Sequence, residues 1–329
     1  MKKASNMKIV TGQMFKLLPI QILLAAVGSL NAIVSSIFAS NYVGVEAMGA
    51  VGIYGNRTEG LHMSIRIETV RTEDFSMDFF RFGSGDKTLV ILPGLSVQSV
   101  MGAADAIAAA YQPIEENYTI YVFDRRAELP ERYTIRDMAR DTAAAFAALG
   151  LRKVCLFGAS QGGMIALVLA IEYPELVGKM VLGSSSAHVQ DAQYRVVESW
   201  IRLAEAGDRE GLYLAFGREI YPPQFFEQCR DALIAAAATV TDAELRRFIT
   251  LAEGIRDFNV SDELVRIKCP VLALGVYEDA VLDSDATMEI AEKLDDRPDF
   301  RLYLYTGYGH AAFDTAPDYR QRILRFFEA

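Results

Sequence analysis

The residues FGASQGG place Ser160 between Gly158 and Gly162 in the spacing G-x-S-x-G. An apolar run, KVCLF, leads into this motif, and a helical stretch from Gln161 leads out of it. A strand-to-helix turn of this kind holds a side chain at a sharp exposed corner, and glycines on either side let strand and helix approach closely. A serine hydroxyl is inert at its own pKa and becomes a nucleophile only beside a base. Histidine is the usual base near neutral pH, and the chain has three: His62, His188 and His310. His62 precedes the first strand. His188 follows the strand 179–183 at the entrance to a helical block, an exposed or pocket-lining position. His310 follows the last strand, in TGYGHAAF, and is the candidate base. An imidazole needs an acid to hold its tautomer, and GVYEDAVLD, after the strand 270–275, offers Glu278, Asp279 and Asp283. Asp279 is favoured, because Ala280-Val281-Leu282 follow it and can turn its carboxylate inward while Glu278 faces solvent. Glu278 is the alternative acid. Acyl transfer further requires donors for an oxyanion. The backbone N–H of Gln161 and that of Leu95, in LVILPGLS, are the candidates, with Gly94 leaving room for close backbone approach.

Elements that could position these groups are legible along the chain. Residues 64–70 and 76–82 read as strands joined by a turn. TLVILPG, YTIYVF, KVCLF, KMVLG, PVLALG and FRLYLY are short apolar runs suited to buried parallel strands. Helical patterns lie between them, at 101–111, 134–149, 161–172, 285–294 and 319–327. From about 187 to 267 the alternation stops, and only helices are expected. Alternating strands and helices predict an α/β fold with a mostly parallel sheet covered on both faces. The helical block would then sit over the strands' carboxyl ends as a cap, where ligands bind in open α/β sheets. Trp200, Leu203, Tyr213, Phe216, Tyr221, Phe225 and Phe226 would give that cap an apolar inner surface.

Composition narrows the partners. The chain has 329 residues, 33 Lys and Arg against 43 Asp and Glu, and a formal net charge of −10. Such a balance without a basic block excludes nucleic acid, which needs cations to replace phosphate counterions. Three widely spaced cysteines, Cys155, Cys229 and Cys269, make neither a disulfide framework nor a zinc site. Nothing in the sequence sets an oligomeric state. The first 62 residues differ in character. Residues 17–45 carry no charged side chain and exceed the roughly 20 residues that a spanning helix needs. Lys2, Lys3, Lys8 and Lys16 precede them, which predicts one span with its amino end in the cytoplasm. This segment would carry any membrane association. A domain starting at Met63 would instead be cytoplasmic, which suits three unpaired cysteines.

Two resemblances refine this reading. Residues 12–54, with MFKLLPIQILLAAVGSLNAIVSSIF at their centre, resemble the first transmembrane helix of the multidrug and toxic compound extrusion (MATE) transporters. Residues 64–329, through Gly94, GASQGG, YEDAVLD and GYGHAAF in order, resemble the α/β-hydrolase superfamily in its cap-bearing serine hydrolase branch. The second resemblance implies an eight-stranded sheet with a helical cap, a Ser-His-Asp triad and no cofactor. It implies hydrolysis of an ester, lactone, thioester or related acyl bond of a small molecule through an acyl-enzyme. A cofactor-independent lyase or a ligand-binding receptor is the alternative on the same fold. LPGLS departs from the HG-type turn common after that strand, and the acid is displaced by one position.

Overall fold

The computed structural model describes residues 8–9, 64–111 and 114–329. The expected membrane span at 17–45, the MATE-like stretch and His62 lie outside the described residues. Among the described residues, no helix is long and apolar enough to cross a membrane.

Eight strands form the main sheet: β1 (Ile67–Arg71), β2 (Ser76–Phe82), β3 (Lys87–Leu92), β4 (Tyr118–Arg126), β5 (Val154–Ala159), β6 (Val177–Gly183), β7 (Val271–Val276) and β8 (Phe300–Tyr305). Their order across the sheet is β1-β2-β4-β3-β5-β6-β7-β8, and the two residues Lys8–Ile9 add a short parallel strand outside β8. Only β2 runs against its neighbours; every pair from β4 to β8 is parallel. The ten α-helices of the described residues are α1 (Ala104–Tyr111), α2 (Ile135–Ala148), α3 (Gln161–Glu172), α4 (Asp191–Glu205), α5 (Arg209–Ile220), α6 (Pro223–Ala237), α7 (Asp242–Glu253), α8 (Asp283–Leu294), α9 (Ala312–Thr315) and α10 (Tyr319–Glu328). Helices α4 to α7 form the expected block between β6 and β7.

Successive strand residues point to opposite faces, and the sequence supplies apolar side chains to both. Val90 and Leu92 of β3 join one core with Leu156, Met180 and helices α2 and α3, while Leu89 and Ile91 join a second core with Phe157, Val181, α1 and α10. This two-sided burial is why β3, β5 and β7 read as continuous apolar runs rather than alternating ones. Helix α3 is buried from Gln161 to Ile171, as expected of a helix that is apolar all round. Helix α2 shows the opposite pattern. It starts at a capping box in which Thr134 and Asp137 bond each other's backbone N–H, and it buries one stripe only.

One strand is longer than its sequence suggests. The expected strand ended at Phe123, before the charged run Asp124-Arg125-Arg126, yet β4 continues to Arg126, which pairs with Met77 of β2. The ladder persists because the charged side chains find partners, Arg126 on Asp141 and Arg125 in the interior. Phe123 anchors this end of the strand. It is fully buried, with ring centroids 5.3 Å from both Phe79 and Phe146. Phe123→Ala should therefore lower the unfolding free energy by about 3–5 kcal/mol, read as a lower denaturant midpoint with an unchanged slope.

Candidate active site

Ser160 stands between β5 and α3 with φ 50° and ψ −118°, a left-handed conformation that a residue with a side chain adopts only when its surroundings enforce it. The enforcement is visible. The Ser160 N–H donates to the Gly183 carbonyl at 2.8 Å, the Ser160 carbonyl accepts from Gly163 at 2.9 Å, and it accepts again from the Ser185 hydroxyl at 2.8 Å. A Cβ at Gly162 would lie 2.0 Å from the Leu92 carbonyl oxygen, and one at Gly158 would lie 2.4 Å from the Gly162 carbonyl oxygen. Both glycines of the motif are thus required by backbone contact. A Cβ at Gly94 would lie 3.2 Å from Ser160 Cβ, so the loop after β3 passes directly over the serine.

His310 and Asp279 meet Ser160 at this corner. His310 Nε2 is 2.9 Å from Ser160 Oγ, and His310 Nδ1 is 2.8 Å from Asp279 Oδ2 and 2.9 Å from Oδ1. Both residues are buried, at 3% and 7% exposure. The Asp279 carboxylate also accepts the backbone N–H groups of Val281 and Leu282, each at 2.9 Å, so its orientation is fixed from behind. Glu278 is exposed and bonds the Gly307 N–H at 2.8 Å. Of the two candidate acids, the structure brings Asp279 to the histidine and turns Glu278 away. Asp283 lies at the start of α8, where its carboxylate accepts the Asp285 N–H. His188 sits in a separate surface cleft with Asp191, Asp257 and Asn259, its side chain 40% exposed and 3.8 Å from Glu289. It does not reach Ser160.

The two candidate oxyanion donors lie in the loop after β3 and at the first residue of α3. Leu95 lines the cavity above Ser160 together with Gly94. The amide of Gln161 opens α3, where a backbone N–H has no carbonyl partner within its own helix. The cavity is about 30 Å³, enough for one or two water molecules. Its walls are Met164, Val197, Trp200, Phe216, Ile220, Ile255, Val281, Leu282 and Phe313, and the polar side-chain groups among its lining residues are those of Ser160 and His310 and the Trp200 indole N–H. Only Trp200 and Phe216 of the seven expected cap residues reach it. Tyr213 instead bonds Gln98 at 2.9 Å, Tyr221 packs on Phe225, and Phe226 packs beneath Arg218. The walls that sequence reading missed follow helical spacing, with Val197 and Trp200 three apart on α4 and Phe216 and Ile220 four apart on α5.

A family model described as alpha/beta hydrolase fold matches residues 88–317. The chain belongs to the alpha/beta hydrolase fold family. Curated alpha/beta relatives include proteins named "Putative carbamate hydrolase RutD". That of Cronobacter turicensis is 27% identical over 71% of this chain and 87% of its own length. That of Rhizobium rhizogenes is 24% identical over 74% and 93%. Among solved structures, the alpha/beta hydrolase MGS-M2 from a Medee basin deep-sea metagenome library superposes with a TM-score of 0.71 at 22% identity, over 80% of this chain and 98% of its own. The enol-lactonase of Burkholderia xenovorans gives 0.68 at 16% identity, over 80% and 100%. These structural likenesses establish the fold.

Within this hydrolase fold, sequence reading also missed Arg125. The residue is 4% exposed. Nη2 donates to the Pro93 carbonyl at 2.7 Å and to Gln161 Oε1 at 3.3 Å. Burial pulls its pKa down to about 10, opposed by the neighbouring Asp124 carboxylate. The signal available was a charged pair at the carboxyl end of a strand, beside the loop that carries Leu95. The three thiols, by contrast, are poor nucleophiles here. Burial pushes Cys229 up to about 12 and Cys269 up to about 11, and it raises Cys155 as well. A thiol stays protonated, and slow to react, below its pKa. Native protein at pH 8 should therefore release at most one equivalent of thionitrobenzoate rapidly from Ellman's reagent, and three after denaturation.

Proposed function

We propose that the protein is a serine hydrolase that cleaves an uncharged ester of a small apolar acyl group. The observation that carries this reading is the single line of contacts from Ser160 Oγ through His310 to Asp279. Ser160 Oγ attacks the acyl carbon while His310 Nε2 takes its proton. Asp279 stabilises the imidazolium and holds the tautomer with its proton on Nδ1. The carbonyl oxygen becomes an oxyanion held by the N–H groups of Leu95 and Gln161. As the carbon–oxygen bond to the leaving alkoxide breaks, His310 returns the proton and the alcohol departs. Water then attacks the acyl-enzyme, its proton goes to His310, and the acid leaves as Ser160 regains its hydrogen.

The cavity supports the substrate class. Apart from His310, its lining carries no titratable side chain, so a charged acyl group would lose its hydration without compensation. Leu95 in the loop after β3 continues this apolar surface up to the oxyanion position. Helices α4 to α7 act as the cap. Hydrolysis of a carbamate is the second reading, favoured by the names of the curated relatives. An ester is preferred because the cavity walls offer no side-chain acceptor for a carbamate N–H beyond the serine and histidine themselves. A ligand-binding receptor is disfavoured by the serine being both strained into place and paired with a base, whereas a cofactor-independent lyase would use the same three residues and is separated from a hydrolase by ester turnover.

Two measurements test the reading. Full-length protein should turn over p-nitrophenyl acetate and butyrate faster than the octanoate, and Ser160→Ala should lose at least about a thousandfold in kcat/KM. No turnover of any ester, or turnover that survives Ser160→Ala, would refute it. Asp279→Asn should slow labelling of Ser160 by a fluorophosphonate at least about a hundredfold, while Glu278→Gln stays within about fivefold of the parent. Equal effects from the two substitutions would reject Asp279 as the acid.

A further inference from the structure

The Arg125 guanidinium bonds to both halves of the proposed oxyanion hole. Its Nη2 holds the carbonyl of Pro93, two residues before Leu95, and the side-chain amide of Gln161, the residue whose N–H is the other donor. Gln161 is fixed in turn from the far side, its Nε2 donating to the Leu251 carbonyl of α7 at 2.7 Å. The guanidinium is interior, and its Nε has no hydrogen-bond partner among the described residues. A buried cation with incomplete hydrogen bonding is costly to the fold. Gly94, between Pro93 and Leu95, has no side chain to brace the loop, so the Pro93 carbonyl is the handle by which it can be held. The main chain of Arg125 is itself secured, because Arg247 of α7 bonds the Arg125 carbonyl at 3.3 Å and the Asp124 carboxylate at 3.0 Å.

We propose that Arg125 is a positioning residue that sets the separation of the Leu95 and Gln161 N–H groups for the tetrahedral oxyanion. It touches no substrate. It clamps the loop after β3 and the first residue of α3 to one planar, rigid donor, so both amides are aimed before the charge develops. This inference rests on the serine hydrolase reading. Loss of the clamp should then weaken binding of the tetrahedral state while leaving ground-state ester binding nearly unchanged.

The test uses full-length parent, Arg125→Met, Arg125→Lys, Gln161→Met and, as a control, Arg126→Met, whose side chain faces Asp141 and the Asp74 and Glu128 carbonyls instead. Each is assayed with p-nitrophenyl acetate, with phenylboronic acid as a tetrahedral analogue, and by denaturant unfolding. Arg125→Met should lose about 30- to 300-fold in kcat, somewhat less than the roughly 100- to 1,000-fold cost of removing an oxyanion donor outright. KM should move less than threefold, and the boronic acid Ki should rise in step with the fall in kcat. Arg125→Lys, which keeps one cationic donor, should recover about three- to fivefold of that loss. Arg126→Met should keep kcat within threefold. If Arg125→Met does not fold, Arg125→Lys and Gln161→Met carry the test, each expected to lower kcat at least fivefold at unchanged KM. The proposal fails if the folded Arg125 variants keep kcat within threefold of the parent, or if kcat falls while the boronic acid Ki stays put. It fails likewise if KM alone changes. A parent that hydrolyses no ester overturns the hydrolase reading instead, and the two failures are thereby distinct.

Discussion

The site depends on one backbone constraint, the left-handed turn at Ser160. A residue with a Cβ at φ 50° stores roughly 1–3 kcal/mol of strain. The strain persists because strand and helix are locked against each other by glycines with no space for a side chain. Leu92, at the end of β3, supplies the carbonyl that excludes a side chain at Gly162, so the neighbouring strand fixes the turn as firmly as the motif does. Everything else is arranged around the resulting corner. β3 brings its loop over the hydroxyl, β7 brings the carboxylate, and β8 brings the imidazole, all from the same edge of a parallel sheet. Parallel order is what allows three sequence-distant loops to converge there.

Much of this was legible in the residues. The G-x-S-x-G spacing between an apolar strand and a helix locates the turn because only that local geometry needs those glycines. His310 emerges by elimination among three histidines, and the strand-helix alternation predicts the sheet. The acid was less determinate, because Glu278 and Asp279 are neighbours and differ only in the direction their turn gives them. What decides it is the pair of amides at Val281 and Leu282, which capture the Asp279 carboxylate, and amide directions are set by a tertiary turn rather than by composition. The cap lining was legible in kind and not in identity. Aromatic side chains such as Tyr213 and Tyr221 are spent on packing, while smaller Val197, Ile220 and Ile255 face the serine. Arg125 stayed hidden because a charged residue at a strand end ordinarily marks solvent, and the interior acceptors that receive it, the Pro93 carbonyl and Gln161 Oε1, are set by tertiary structure.

Electrostatics and exclusion of water act together at the corner. A histidine and an aspartate at 3% and 7% exposure interact through a medium of low effective dielectric, where charge pairs are stronger than in water. The apolar walls of the cavity limit how much water can screen that pair.

The helical block is joined to this machinery at three separate points. The Ile220 carbonyl at the end of α5 accepts the Ala311 N–H beside the histidine, at 2.9 Å. Gln193 of α4 donates to the Leu282 carbonyl in the turn that holds the acid, at 2.6 Å. Leu251 of α7 accepts from Gln161, beside the serine. Each of these helices is thus hinged to a different member of the constellation. A displacement of any one of these helices would act directly on the residue it is tied to. The helical block and the Ser160 corner therefore share one framework of hydrogen bonds, so that a change in how the block packs is felt at the serine, the acid and the histidine together.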